Sequence, residues 1–89
     1  MTTAQLANGW RISKTPKGHT LIDPDGREYP EEDFVTVSQA AEARGLSARR
    51  IRVLAGEGRL DAVKRGSIWL VKAGAVMFYK PGVVRRQQK

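Results

Sequence analysis

Apolar and polar positions alternate with a period of two over residues 10–29, and the spacing then changes to that of helices. Alternation at period two is typical of strands that bury one face. Two turn signals interrupt it, Thr-Pro-Lys-Gly at 15–18 and Asp-Pro-Asp-Gly at 23–26, each with a glycine that can take positive φ. The pattern predicts an antiparallel β-meander with strands near residues 10–14, 19–22 and 27–29.

Trp10 and Ile12 share one face of this meander, and we expect that face to cover part of a helical core. Asp23 and Asp25 could form a catalytic carboxylate pair, but turn chemistry explains both and is the favoured interpretation. The acidic run at 31–33 could hold a magnesium ion. A hydrated linker that complements a helix N-terminus is preferred, because no further acidic residue follows at suitable spacing.

Two helical segments follow, separated by a tight turn. Thr36 and Gln39 stand at capping-box spacing where the first predicted helix begins. Gly45 is expected to end this helix, Leu46 to enter the core and Ser47 to cap the next helix. The inward positions of the first helix are small enough to let a second helix cross closely: Val37, Ala40 and Ala41.

The second predicted helix runs from Ala48 to about Glu57 and has two different faces. Its apolar stripe consists of Ile51, Leu54 and Ala55. At about 100° per residue, the opposite face carries Arg49, Arg52, Val53 and Gly56, with Arg50 on the flank. Only Glu57 supplies an acidic partner at helical spacing, so intrahelical salt bridges explain these arginines poorly. A guanidinium matches guanine or phosphate oxygens, and DNA contact is therefore favoured over a solvated face.

A hairpin is predicted after this helix. Gly58 closes the helix, Leu60 returns to the core, and two apolar segments flank a tight loop at 65–67. Lys64 and Arg65 near its tip can contact phosphates or enter a minor groove. Trp69 could stack on a base, although packing is more common for such a residue. A last helix is expected over 73–79, before Pro81.

Helix, tight turn, arginine-bearing helix and hairpin form the order of a winged helix-turn-helix. The predicted fold class is α+β, a small winged helix-turn-helix with an N-terminal antiparallel β-meander. The predicted organisation is a flexible N-terminus at 1–9, the meander and acidic linker at 10–33, the winged helix-turn-helix at 34–80 and a basic tail at 81–89.

Charge is distributed unevenly over the 89 residues, whose net charge is +7. Through Ala43 there are four Lys or Arg against seven Asp or Glu, a balance of −3; from Arg44 onward twelve face two, a balance of +10. Duplex DNA would release counterions on meeting the basic half, which favours steeply salt-dependent association. A membrane surface is disfavoured, because the basic residues do not share a helix with a continuous large-apolar face.

Several chemistries are not expected. The chain has no cysteine and a single histidine, His19, which argues against disulfides and histidine-based metal sites. No nucleophile–base arrangement, metal-ligand cluster or phosphate loop is recognisable, so neither an enzyme nor a cofactor is expected. Residues 1–10 lack the basic and apolar regions of a signal peptide, and we expect a cytoplasmic, nucleoid-associated protein.

The helical half resembles the excisionase-like and MerR-like winged helix-turn-helix superfamily, whose members share T-V-x-x-A-A, then G-L-S, then an arginine-rich helix ending in G-R-L. The matching residues cover about half of the chain: Thr36-Val37, Ala40-Ala41, Gly45-Leu46-Ser47 and Gly58-Arg59-Leu60. MerR regulators continue into a long dimerising helix and an effector-binding part. Excisionases are small, lack effector sites and bend DNA by binding in tandem, which suits this length better. The meander departs from a minimal excisionase.

The resemblance implies sequence-specific binding of double-stranded DNA, as an excisionase-like recombination directionality factor or a small phage or plasmid regulator, without a small-molecule effector. A protein-interaction module and a DNA-packaging adaptor like a small terminase subunit are the alternatives. The absence of a long apolar seam after Val71 predicts a monomer that associates head-to-tail on DNA. The candidate DNA-contacting residues are Ser47, Arg49, Arg50, Arg52, Val53, Lys64, Arg65, Ser67, Arg85 and Arg86.

Overall fold

Residues 3–79, the part of the chain that the computed structural model describes, form an α+β domain with two antiparallel sheets, three α-helices and one 3-10 turn at Ala7–Gly9. The strands are β1 Thr3–Gln5, β2 Arg11–Thr15, β3 Gly18–Ile22, β4 Glu28–Pro30, β5 Phe34–Thr36, β6 Ala62–Arg65 and β7 Ile68–Lys72. The helices are α1 Val37–Arg44, α2 Ala48–Gly56 and α3 Ala73–Phe78.

The N-terminal sheet is a meander in the order β1-β2-β3-β4. Its last three strands begin and end within one residue of the predicted ones, which are thereby confirmed. No strand was predicted in the N-terminal segment 1–9, which was expected to be flexible, whereas β1 pairs with β2 from Thr3↔Ser13 to Gln5↔Arg11. The chain reverses there through Asn8 and Gly9, which both take positive φ, at 57° and 86°. A polar edge strand of three residues has no alternation that could have revealed it.

The second sheet has the order β5-β7-β6, with β7 in the centre. The β6–β7 hairpin is the predicted one, whereas β5 was not anticipated. β5 pairs with β7 from Phe34↔Lys72 to Thr36↔Leu70 and leads directly into α1. This pairing ties the start of α1 to the hairpin, so the helices and the hairpin are held in one framework.

A single core joins both sheets to the helices. Trp10 is fully buried and its ring stacks against that of Tyr29, with 6.0 Å between centroids, while Ile12 packs at the edge of the same core. The meander therefore covers the helical core as predicted. The other large side chains that are fully buried come from both sheets and from α2 and α3: Leu21, Val35, Ile51, Leu54, Val71 and Val76.

The acidic segment 31–33 is more than a hydrated linker. The carbonyl oxygens of Asp33 and Glu31 accept from the first N–H groups of α3, those of Ala73 and Gly74, at 2.7 and 3.0 Å. The Glu31 carboxylate also accepts from the backbone N–H of His19 at 2.9 Å. These hydrogen bonds tie the segment to α3 and to β3. Within residues 3–79 no cluster of three potential metal ligands is found.

α3 ends at Phe78, one residue earlier than predicted, and Pro81 lies outside the described residues. Among the helices described here, none has the length and apolar character needed to cross a bilayer.

Candidate nucleic-acid interface

The connection between α1 and α2 fixes the position of the second helix. Thr36 forms the predicted capping box with Gln39, in which each side chain bonds the other residue's backbone N–H. Gly45 ends α1 with φ of 68°, a left-handed conformation that glycine adopts without strain. Ser47 Oγ then accepts from the backbone N–H of Arg50 at 3.0 Å and caps α2. Ser47 was predicted to contact DNA. In the structure its Oγ accepts the capping hydrogen bond of α2, and the hydrogen of its hydroxyl group is still available to donate to a phosphate.

α2 has the two faces that its sequence predicts. Its buried stripe is Ile51, Leu54 and Ala55, and the exposed residues of the same helix are Arg49, Arg50, Arg52, Val53 and Gly56. The helix ends at Gly56, and Gly58 follows with φ of 77°. Because the buried stripe is anchored in the core, the arginine-bearing face has a fixed orientation toward solvent.

Within the described residues, none of the arginines on this face forms an ion pair. Within residues 3–79, the ion pairs are His19–Glu31, Arg59–Glu57 and Lys72–Asp61, so no cation predicted to contact DNA takes part in one. Oε1 of Glu57, the residue that caps the C-terminus of α2, lies 3.4 Å from Nε of Arg59. The positive charge of α2 is therefore not neutralised by the described part of the protein.

The hairpin adds two more cations and a rigid turn. Gly66 and Ser67 alone form the turn, with positive φ at Gly66 (61°) only, the pattern of a type II′ turn. Arg65 is thus the last strand residue rather than part of the loop, and it faces Ile68. Lys64 faces Trp69, and its Nζ lies 5.8 Å from the centroid of the indole ring. This cation–π contact directs the ammonium group while leaving it exposed.

Trp69 is half-buried, which agrees with a packing role. It also borders an open groove of about 250 Å³ between the hairpin and the helices. The groove is lined by Thr36, Val37, Ser38, Arg52, Ser67, Ile68 and Trp69. The structure thereby brings Arg52 of α2 and Ser67 of the turn, two predicted DNA contacts, to one depression in the surface.

Two residues of the basic half have roles that were not among the predictions made from the sequence. Arg44 donates from Nη2 to the carbonyl oxygen of Tyr79 at 3.0 Å, and burial lowers the pKa of its guanidinium. Arg44 thus links α1 to the residue that follows α3, and it does not belong to the exposed cationic surface. Ile68 is the reverse case, an apolar residue that stays exposed beside Arg65. Strand alternation from buried Val71 places it on the outer face, and this signal was available in the sequence.

Arg85 and Arg86, also predicted to contact DNA, lie outside the described residues. No family model matches the sequence, and comparisons with curated proteins and with solved structures give no match.

Proposed function

We propose that this domain is a winged helix-turn-helix that binds duplex DNA, with α2 in the major groove and the β6–β7 hairpin as the wing on backbone or minor groove. One observation carries the proposal. Arg49, Arg50 and Arg52 are exposed and have no acidic partner in the described residues, on a helix whose opposite stripe is buried. A soluble surface alone does not require three unpaired arginines within the first turns of one anchored helix.

The dimensions agree with this proposal. An α-helix with its side chains is about 10–12 Å across, which matches a major groove about 12 Å wide, and the exposed face of α2 presents 9 residues of helix, roughly 13 Å, along it. In helix-turn-helix proteins the N-terminal residues of the second helix reach base edges. Arg49, Arg50 and Arg52 occupy those positions, and Val53 supplies an apolar contact of the kind that a thymine methyl group accepts.

The meander has a function that needs no partner. Its inward side chains Trp10, Leu21 and Tyr29 belong to the core that holds α1 and α3. These strands therefore extend a core that the helices alone would leave small. This supports DNA binding by the helical half over an interaction module built on the meander.

The process in which such a protein acts stays a prediction, namely recombination directionality or regulation of transcription. Head-to-tail association on DNA is likewise a proposal. It would use the acidic segment 31–33 and the basic tail, of which only the first lies in the described part of the chain.

A matched pair of variants tests the proposal. The first is Arg49→Ala/Arg50→Ala/Arg52→Ala, and the second removes three exposed cations of the meander, Lys14→Ala/Lys17→Ala/Arg27→Ala. Both lower the net charge by three. Fluorescence anisotropy with a labelled duplex of about 25 base pairs should show a loss of at least 100-fold for the first variant and little for the second, since phosphate and base contacts are each worth about 1 kcal/mol or more. Equal losses would indicate nonspecific attraction and would contradict a binding role of α2.

A further inference from the structure

The end of the hairpin exposes an apolar side chain among cations. Ile68 has 61% of its surface accessible, whereas the other exposed large apolar residues of the described chain, Phe34, Val53, Val63 and Phe78, have between 39% and 50%. All residues from 63 to 68 are exposed, so this end stands clear of the core. Ile68 follows the two-residue turn directly and is therefore not screened by a longer loop.

The position of Ile68 is well fixed. It faces Arg65 across the hairpin, in a register closed by a turn of only two residues. Its β-branched side chain has few rotamers in a strand, so little conformational freedom would be lost on insertion into a partner. An exposed and rigid apolar side chain at the end of a hairpin has the form of a wedge.

The surroundings indicate which partner the wedge fits. From 62 to 72 the chain has no acidic residue, and Lys64 and Arg65 lie at the same end as Ile68. A second copy docked on the same face would bring each Arg65 near its equivalent, because a two-fold interface is self-complementary. A polyanion that has apolar surfaces between its charges suits this end of the hairpin better. Duplex DNA is such a polyanion, because its stacked base pairs lie between the phosphates.

Resting on the DNA binding proposed above, we propose that Ile68 inserts from the minor groove between two stacked base pairs, and that it unwinds and kinks the duplex. Apolar wedges of this kind unstack a base step and bend the DNA. Arg65 and Lys64 would contact the phosphates on either side of the opened step. Ile68 and Arg52 line the same groove of about 250 Å³, so the wedge and the base-reading helix are held at a fixed spacing.

Relaxation of a closed circular plasmid by topoisomerase I in the presence of the protein tests this proposal without knowledge of an operator. A wedge that unwinds DNA leaves negatively supercoiled topoisomers once the protein is removed. Three variants are compared with the wild type at equal occupancy, set by anisotropy: Ile68→Ser, Ile68→Phe and the control Val63→Ser. Wild type, Ile68→Phe and Val63→Ser should shift the topoisomer distribution, and Ile68→Ser should not. Ile68→Ser should also bind about tenfold more weakly, because one apolar side chain is no longer buried.

The outcomes separate this inference from the proposed function. If the wild type binds duplex DNA with a steep salt dependence but leaves the topoisomers unchanged, the wedge is wrong and DNA binding stands. An equal shift by Ile68→Ser and the wild type contradicts the wedge as well. If the wild type bound no duplex at all, both proposals would be overturned. Self-association without DNA that Ile68→Ser abolishes would assign the residue to a protein contact and overturn the wedge.

Discussion

The side-chain amide of Gln39 donates a hydrogen bond of 3.0 Å to the hydroxyl of Tyr29 and so joins the meander to the beginning of α1. The Tyr29 hydroxyl donates in turn to Oδ2 of Asp23 at 3.2 Å. Oε1 of Gln39 accepts from the backbone N–H of Thr36 at 2.8 Å. A chain of hydrogen bonds therefore runs from the turn after β3 to the cap of the helix that precedes α2.

Tyr29→Phe should lower the free energy of unfolding by about 1 to 2 kcal/mol, because two hydrogen bonds are lost while the buried ring is kept. Urea denaturation with an unchanged m-value measures this effect. Tyr79→Phe, which removes a hydroxyl outside this chain of bonds, is the control. Duplex affinity at a temperature where the variant is folded should not change, and a change would place these residues in the interface.

The carboxyl groups of Asp23 and Glu31 make the free energy of unfolding depend on pH in the acidic range. Burial acts to raise the pKa of Asp23, but hydrogen bonds from the backbone N–H groups of Arg27 and Asp25, at 2.8 and 2.9 Å, outweigh it and the pKa lies below its usual value. The pKa of Glu31 is lowered by hydrogen bonds from the backbone N–H and Nδ1 of His19, at 2.9 and 3.0 Å.

Since both pKa values are lower in the folded state, the unfolded chain takes up protons first as the pH falls. The stability that these groups contribute is complete above an unfolded pKa of about 4 and is lost as the pH falls through the folded values. Urea denaturation in steps from about pH 6 to pH 3 should show this decline, and Asp23→Asn or Glu31→Gln should make it shallower. A decline as steep as that of the wild type in both variants would show that other groups cause it.

Arg49→Ala and Arg52→Ala should each weaken binding to a duplex selected from a random library by about 1 to 3 kcal/mol, with relaxed preference at one base position, because a guanidinium can bond one guanine twice. Competition with a random duplex separates base contacts from phosphate contacts. Equal loss on both duplexes would assign the arginines to phosphates. No loss on either would remove α2 from the interface.

Replacement of Lys64 and Arg65 by alanine should weaken binding to all duplexes alike, in contrast to Arg49→Ala and Arg52→Ala. As phosphate contacts of the hairpin, they should contribute to affinity for every sequence, and their removal should flatten the log–log salt dependence by about one to two units. Titration at several salt concentrations measures the slope. An unchanged slope in the double variant would mean that the hairpin does not contact phosphate.

The sequence predicted those elements whose signals are local. The Thr36 and Ser47 caps, the left-handed Gly45 and the two faces of α2 depend on residues within a few positions of one another, and the structure confirms them. The strands Thr3–Gln5 and Phe34–Thr36 were missed because each has only three residues and gains its order from a partner strand elsewhere in the chain.

The same distinction holds for the candidate site. Exposure of Arg49 and Arg52 follows from helical periodicity, whereas the role of Arg44 depends on Tyr79, 35 positions away. The shared groove of Arg52 and Ile68 likewise depends on how the hairpin packs against the helices. Tertiary packing, which no local pattern reports, decides both.

The most direct test of the central claim is a map of the surface that meets DNA. Titration of ¹⁵N-labelled protein with a duplex of about 20 base pairs, followed through the backbone amide signals, should shift residues 47–53 and 64–69 and leave the meander residues 11–30 nearly unchanged. Such a pattern is predicted if α2 and the hairpin form the interface. Shifts concentrated in 11–30, or none at millimolar duplex and low salt, would contradict it.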